Sequence, residues 1–271
     1  VLPSRSSTFF DRVTTWLGWT PHSIYIISAF VLTCGLIAYI WWPLALEYVR
    51  YVDWSGEWWR YFDWLLVGIF LSMSFLIMAR ADLRFDLKIV FVGLCGGLVI
   101  ESWGTQTYLW YYFTAERPPL WIIPAWPIAS LSIDRLTRLL ETLSPRLSPF
   151  SRRLFVGSYW LVFGGFYALM LVFVAPTMHK SLTLMALMLC AWLILTPTDH
   201  RKAVLVFIAG AGLGYFLELW GTTRQCWTYY TRQTPPLFAV LAHGMAAVAF
   251  WRAQLALEGL WRRLVGHRTR G

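Results

Sequence analysis

Glu101-Ser102-Trp103-Gly104-Thr105, followed by Trp110, Tyr112 and Pro118-Pro119-Leu120, occurs a second time in this chain. The second copy is Glu218-Leu219-Trp220-Gly221-Thr222, followed by Trp227, Tyr229 and Pro235-Pro236-Leu237. The offset is 117 positions without a gap, and 12 of the 29 positions from 101 to 129 are identical to their counterparts. Outlying matches keep the same offset: Asp82 with Asp199, Gly93 with Gly210, Gly97 with Gly214 and Arg135 with Arg252. Self-similarity at one fixed period marks a duplicated structural unit.

The 271 residues are 58% hydrophobic and 14% charged, a balance that belongs to a chain solvated by lipid. Eighteen Trp and thirteen Tyr add the aromatic content of membrane interfaces. Apolar runs near 24–44, 64–80, 87–103, 119–139, 154–176, 181–197, 203–220 and 236–256 are long enough to cross a bilayer. The fold class expected is therefore all-α: a polytopic membrane protein of about eight transmembrane helices, built as two parallel four-helix repeats. Pro124 and Pro127 predict a kink in the fourth span.

The expected organisation is a lead over 1–22, a first membrane repeat over 23–143 and a basic connector over 144–153. A second membrane repeat over 154–260 and a basic tail over 261–271 complete it. Within the lead, Phe9, Phe10, Val13, Trp16 and Leu17 could form an interfacial helix. Residues 45–63 mix Trp54, Trp58 and Trp59 with Arg50, Asp53 and Glu57, which predicts an interfacial segment. With eight spans, one side collects 17 Lys and Arg and the other six. The excess places both termini in the cytoplasm and the chain in a bacterial or archaeal inner membrane. The net charge of +9 is read as this topology signal plus attraction to anionic lipid, not as nucleic-acid binding. The four cysteines form no CxxC pair, and neither a metal site nor a cofactor is expected.

Glu101 and Glu218 are the leading chemical candidates. A charged side chain near the centre of a span costs about 2.5–3.5 kcal/mol on insertion scales, so two at equivalent positions imply a role. Such an acid can donate a proton. It can equally serve as a brace, accepting hydrogen bonds from Trp103 or Trp220, from Thr105 or Thr222, or from amides at the helix end. Trp110, Tyr112, Trp126, Trp227 and Tyr229 read either as a pocket for an extended apolar ligand or as an aromatic belt. Trp126 aligns with His243, the one histidine inside an expected span, and His243 is the third candidate for chemistry. Arg135, Arg252, Asp82 and Asp199 are expected to make structural ion pairs or lipid contacts.

Glu101-Ser-Trp-Gly104-Thr105-Gln-Thr107, then Tyr112-Phe-Thr114, Leu120 and Pro124-Ala-Trp126, resembles the membrane carotenoid-biosynthesis proteins of the bisanhydrobacterioruberin-hydratase-like group. More distantly it resembles the integral-membrane lycopene cyclases, although their Pro-x-Glu signature is absent. The resemblance covers about 30 residues in each half. It implies an enzyme that hydrates or cyclises a long isoprenoid by protonating a C=C bond, with no cofactor. In that picture Glu101 or Glu218 is the acid, and Trp103, Trp110, Trp220 and Trp227 flank the cation. The other glutamate or His243 places water or removes a proton, and Thr105, Tyr112, Trp126, Thr222 and Tyr229 complete the substrate site. The partner implied is membrane lipid or a polyisoprenoid. Two alternatives stand beside it: a non-catalytic subunit or pigment-binding scaffold of a larger membrane complex, and a transporter.

Overall fold

The structure is a computed structural model that describes residues 14–15, 17–144 and 149–268. It is mostly helical. The chain divides into two compact units, Val1–Leu87 and Lys88–Gly271. The interfacial helix expected around Phe9 to Leu17 lies mainly outside the described residues, as do 145–148 of the basic connector.

In the first unit, α1 (Ser23–Ile40) packs against α3 (Trp64–Met78), with Phe30 and Phe70 rings 4.7 Å apart. Hydrogen bonds tie the start of α1 and the chain before it to the end of α3 and the chain after it. Thr20 Oγ1 donates to the Ala81 carbonyl at 2.7 Å, Ser23 Oγ to that of Met78 at 2.7 Å, and Arg80 N–H to that of Gly18 at 2.7 Å. α1 stops at Ile40, and α2 (Trp42–Val49) begins afresh with Pro43 in its first turn, where a missing N–H costs nothing. The first apolar run is thus two helices rather than one span to Leu44. Residues 45–63 hold the rest of α2 and a 3-10 turn at Trp58–Tyr61, with Trp54, Trp58 and Trp59 exposed. The Asp63 carboxylate caps α3 by accepting from Leu66 N–H at 3.1 Å.

α4 (Leu83–Thr107) starts at the end of the first unit, and its length from Lys88 on belongs to the second. The second unit continues with β1 (Trp110–Tyr112), α5 (Ala125–Leu143), α6 (Pro149–Val174) and α7 (Ser181–Leu195). It closes with α8 (His200–Thr223), β2 (Trp227–Tyr229) and α9 (Leu237–Arg268). α8 is its centre, packed against α5, α6 and α9. Its contact with α9 is backbone to backbone: a Cβ on Gly210 would lie 2.8 Å from the His243 carbonyl and 2.9 Å from Gly244 Cα. Gly93 of α4 sits equally close to α5, where a Cβ would come within 2.9 Å of Pro127 Cα. Small residues at these crossings permit the approach.

Among the described residues, four helices are long and apolar enough to cross a membrane: Ser23–Ile40, Arg152–Thr177, His200–Thr223 and Leu237–Arg263. Trp64–Met78 and Ser181–Leu195 are apolar but shorter. Large apolar side chains stand exposed along them, Leu184, Met185, Met188 and Trp192 on α7 among others, as lipid contact requires.

The expected fourth span is corrected. Pro119 opens a 3-10 turn at Leu120–Ile122, and the helix begins only at Ala125 with Pro124 as its cap. Pro124 and Pro127 therefore sit at a helix start, where they remove no internal hydrogen bond and cause no mid-span kink. Asp134, Arg135, Arg138 and Glu141 then make the second half of α5 polar. The expected ion pairs at this level are mostly something else. Arg135 does pair with Asp134 at 2.6 Å, but Asp199 caps α8 through Lys202 N–H at 2.9 Å. Arg252 donates to the Leu193 carbonyl at 3.3 Å and to Thr196 Oγ1 at 3.2 Å.

Candidate functional site

Gly93, Gly97, Glu101 and Thr105 recur every four residues and so share one face of α4; Gly210, Gly214, Glu218 and Thr222 do the same on α8. Both helices end in the same way. Leu109 N–H donates to the Gly104 carbonyl at 2.9 Å and Tyr108 N–H to that of Thr105 at 3.3 Å, while Cys226 and Gln225 repeat the pattern onto Gly221 and Thr222 at 2.9 and 3.2 Å. This paired closure needs a left-handed residue at the turn, here Tyr108 at φ 65° and Gln225 at φ 56°. The reversal sends each chain back beside its own helix as a short strand.

The two strands pair with each other. Trp110 faces Tyr229, Tyr111 faces Thr228 and Tyr112 faces Trp227, antiparallel. The ladder closes with Phe113 N–H to the Cys226 carbonyl at 3.2 Å and Tyr230 N–H to that of Leu109 at 3.0 Å. Rings follow the backbone, with centroids 5.8 Å apart for Trp110–Tyr229 and 5.9 Å for Tyr112–Trp227. Exchanging the strands maps these contacts onto one another. Each loop then turns through a cis peptide, Arg117–Pro118 in one and Thr234–Pro235 in the other.

Each carboxylate is held by three groups. Glu101 accepts from Trp110 Nε1 at 3.0 Å, Tyr112 Oη at 2.8 Å and Trp126 Nε1 at 3.2 Å. Glu218 accepts from Trp227 Nε1 at 2.9 Å and Tyr229 Oη at 2.8 Å, and its third partner is His243 Nε2 at 2.9 Å. Both glutamates are buried. Burial pushes the Tyr112 and Tyr229 phenols well above their usual range, and the facing carboxylate adds to the effect, so both stay donors. The Trp126 and His243 rings stack at 5.9 Å and 17°, joining the two sets into one cluster.

The glycines make room for these rings. A Cβ on Gly104 would lie 1.8 Å from the Trp110 ring, and one on Gly221 would lie 2.0 Å from that of Trp227. Gly97 seats Trp126 and Gly214 seats His243, each with 2.4 Å to the would-be Cβ. In sequence Gly97 stands out only as the match of Gly214 at the fixed offset. Its link to Trp126, 29 residues on, is visible in sequence only as the shared 117-residue offset.

Of the expected residues, Glu101, Glu218, His243, Trp110, Tyr112, Trp126, Trp227 and Tyr229 meet in this cluster. The proposed braces do not: Trp103 Nε1 points to Thr183 Oγ1 at 3.4 Å, and the Thr105 and Thr222 hydroxyls return to the backbone carbonyls of Glu101 and Glu218 at 2.6 Å. Trp103 and Trp220 instead pack edge-on against Trp110 and Trp227, at 5.8 and 6.3 Å. Helical geometry explains this: Trp103 and Trp220, two residues from a glutamate, leave the helix in another direction, and the threonines four residues on spend their hydroxyls on the i−4 carbonyl, while the returning strand approaches the carboxylate head-on.

The two halves differ chemically at one position. An indole N–H can only donate, so the Glu101 carboxyl faces two fixed donors, Trp110 and Trp126, and a phenol. His243 can donate, accept or carry a proton, so Glu218 and His243 form a pair able to hold a mobile one. The His243 side chain is 17% exposed against 5% for Glu218, which puts the imidazole on the more open side. Among the described residues no group of three His, Cys, Asp or Glu could hold a metal. No family model, curated protein or solved structure matches this chain.

Proposed function

We propose that the chain is an integral-membrane enzyme that protonates a C=C bond of a long isoprenoid or carotenoid-like lipid, leading to hydration or cyclisation. The observation that carries the reading is the Glu218–His243 pair, 2.9 Å apart, inside a cluster of aromatic rings. The π electrons of the alkene take a proton from this pair, forming a C–H bond and a cation on the neighbouring carbon. Ring faces stabilise that cation. Water then adds and returns a proton to the pair, or a second C=C bond attacks and closes a ring, and the new cation loses a proton from its neighbouring carbon to the pair. The resemblance around Glu101 and Tyr112 supports the substrate class. Glu101 acts at one remove: it holds Trp126, whose ring lies on His243.

In this reading the chain has eight spans as two parallel four-helix repeats, with both termini in the cytoplasm of a bacterial or archaeal cell. The offset of 117 residues supports the duplication, since strand, glycine seat and carboxylate partners all recur at it. The test is lipid mass spectrometry of membranes carrying the protein and a C40 polyene. Glu218→Gln and His243→Ala lose the hydrated or cyclised product, while Glu101→Gln keeps a reduced yield. Normal product from both Glu218→Gln and His243→Ala would sink the mechanism.

A second reading is a non-catalytic subunit or a lipid- or pigment-binding scaffold. It is favoured by the three hydrogen bonds that each buried carboxylate already receives, the pattern of a brace. Stoichiometric protein partners or bound pigment after mild purification, with no product formed, would select it.

A further inference from the structure

Two cations share one exposed ring at the end of α4. The Arg117 guanidinium carbon lies 4.4 Å from the centre of the Tyr108 ring, and Lys180 Nζ lies 4.8 Å from the same centre. Tyr108 is 59% exposed, and its left-handed backbone at φ 65° carries it out of the helix line. The left-handed region disfavours a residue with a side chain, so the placement is not the relaxed one. Lys180 is held in position by donating to the Thr107 carbonyl at 2.9 Å, which leaves it two further protons to donate. Arg117 keeps its fork of donors. Among the described residues neither cation pairs with a carboxylate, although Glu116 is the next residue to Arg117. Two like charges fixed around one ring repel unless an anion lies between or above them.

We infer that Tyr108, Arg117 and Lys180 form a binding site for a phosphate group, supplied by the headgroup of an anionic phospholipid. The guanidinium offers a bidentate fork to phosphate and the ammonium a point charge. Both heads lie against the same ring, which offers an amphipathic surface of the kind found at headgroup level. The other loop is a built-in comparison. At the 117-residue offset, Gln225 stands in place of Tyr108 and Thr234 in place of Arg117, so the second loop does not repeat this arrangement at the equivalent positions. None of the site's residues belongs to the carboxylate cluster, and the inference stands apart from the proposed chemistry.

The experiment uses the full chain in nanodiscs containing phosphatidylcholine and phosphatidylglycerol, followed by native mass spectrometry of the lipids that stay bound. The wild type retains phosphatidylglycerol preferentially. Arg117→Gln lowers that preference about fivefold, the worth of one cation near a membrane surface. Tyr108→Leu lowers it as well. Lys180→Gln loses a bond to the end of α4, so Lys180→Arg is the paired variant and keeps the preference. Inorganic phosphate alone, followed by phosphorus NMR, is the second arm. Phosphate binding that Arg117→Gln abolishes, without any lipid preference, keeps the phosphate site and overturns its lipid source. Equal retention of both lipids together with no phosphate binding overturns the inference, as does an unchanged preference in folded Arg117→Gln.

Discussion

A buried carboxylate with three donors is stable only while the donors stay. Glu101 shows how firmly such a group is committed: replacing it by Leu strands two indoles and a phenol. Each unpartnered donor costs about 1–3 kcal/mol. The expected result is a thermal midpoint in detergent far below wild type, whereas Glu101→Gln, which keeps one carbonyl acceptor, loses much less. If Glu101→Leu melts with the wild type, the hydrogen bonds are not what holds the cluster. Gly221→Ala tests the seat from the other side. Its methyl would meet the Trp227 ring at 2.0 Å, so the indole has to leave Glu218. Overpacking of this kind costs about 1–3 kcal/mol, and the freed indole should change the tryptophan fluorescence. The sequence exposed both glutamates and the Trp-x-Tyr that follows each. It did not expose their partnership, because Trp110 reaches Glu101 only after the chain has reversed through Tyr108.

At the scale of elements, the two helix ends are the decisive joints. Gln225 occupies a left-handed position with an ordinary side chain. Gln225→Gly removes the steric cost but loosens the unfolded chain, so the expected gain is below about 1 kcal/mol. A higher melting temperature checks it, and a lower one would mean that the Gln225 side chain contributes more than its backbone strain. β1 and β2 have three residues each, too few to pair stably alone. Their register is carried by the rings above the ladder and by the helices to which each loop is tied. Apolar runs located most helices from sequence. Their ends were less legible: α4 runs to Thr107 rather than to Trp103, and α5 starts at Ala125 rather than near Pro119. In both places the deciding factor is which hydrogen-bonding groups the chain can satisfy after it leaves the helix, and an apolar run does not encode that.

For the molecule as a whole, the proposed topology makes a prediction by itself. Cysteines at Ser55 and Glu116 should react with an impermeant thiol reagent applied outside intact cells. Cysteines at Arg138 and Lys202 should react only after permeabilisation. Labelling of both sets from the same side would remove the eight-span arrangement while leaving the carboxylate cluster intact. The sequence by itself determined that this chain is helical and apolar, that it carries one motif twice at a constant offset, and that each copy centres on a glutamate. These are properties of composition and local order, written in consecutive residues. Only the tertiary structure decided that the two loops pair strand to strand, and that Trp126 and His243 are the third partners of Glu101 and Glu218. The physical reason is distance along the chain: Trp126 and His243 each lie 25 residues beyond their glutamate and reach it across a helix contact made possible by glycine. Packing chooses such partners, and packing exists only once the helices have met.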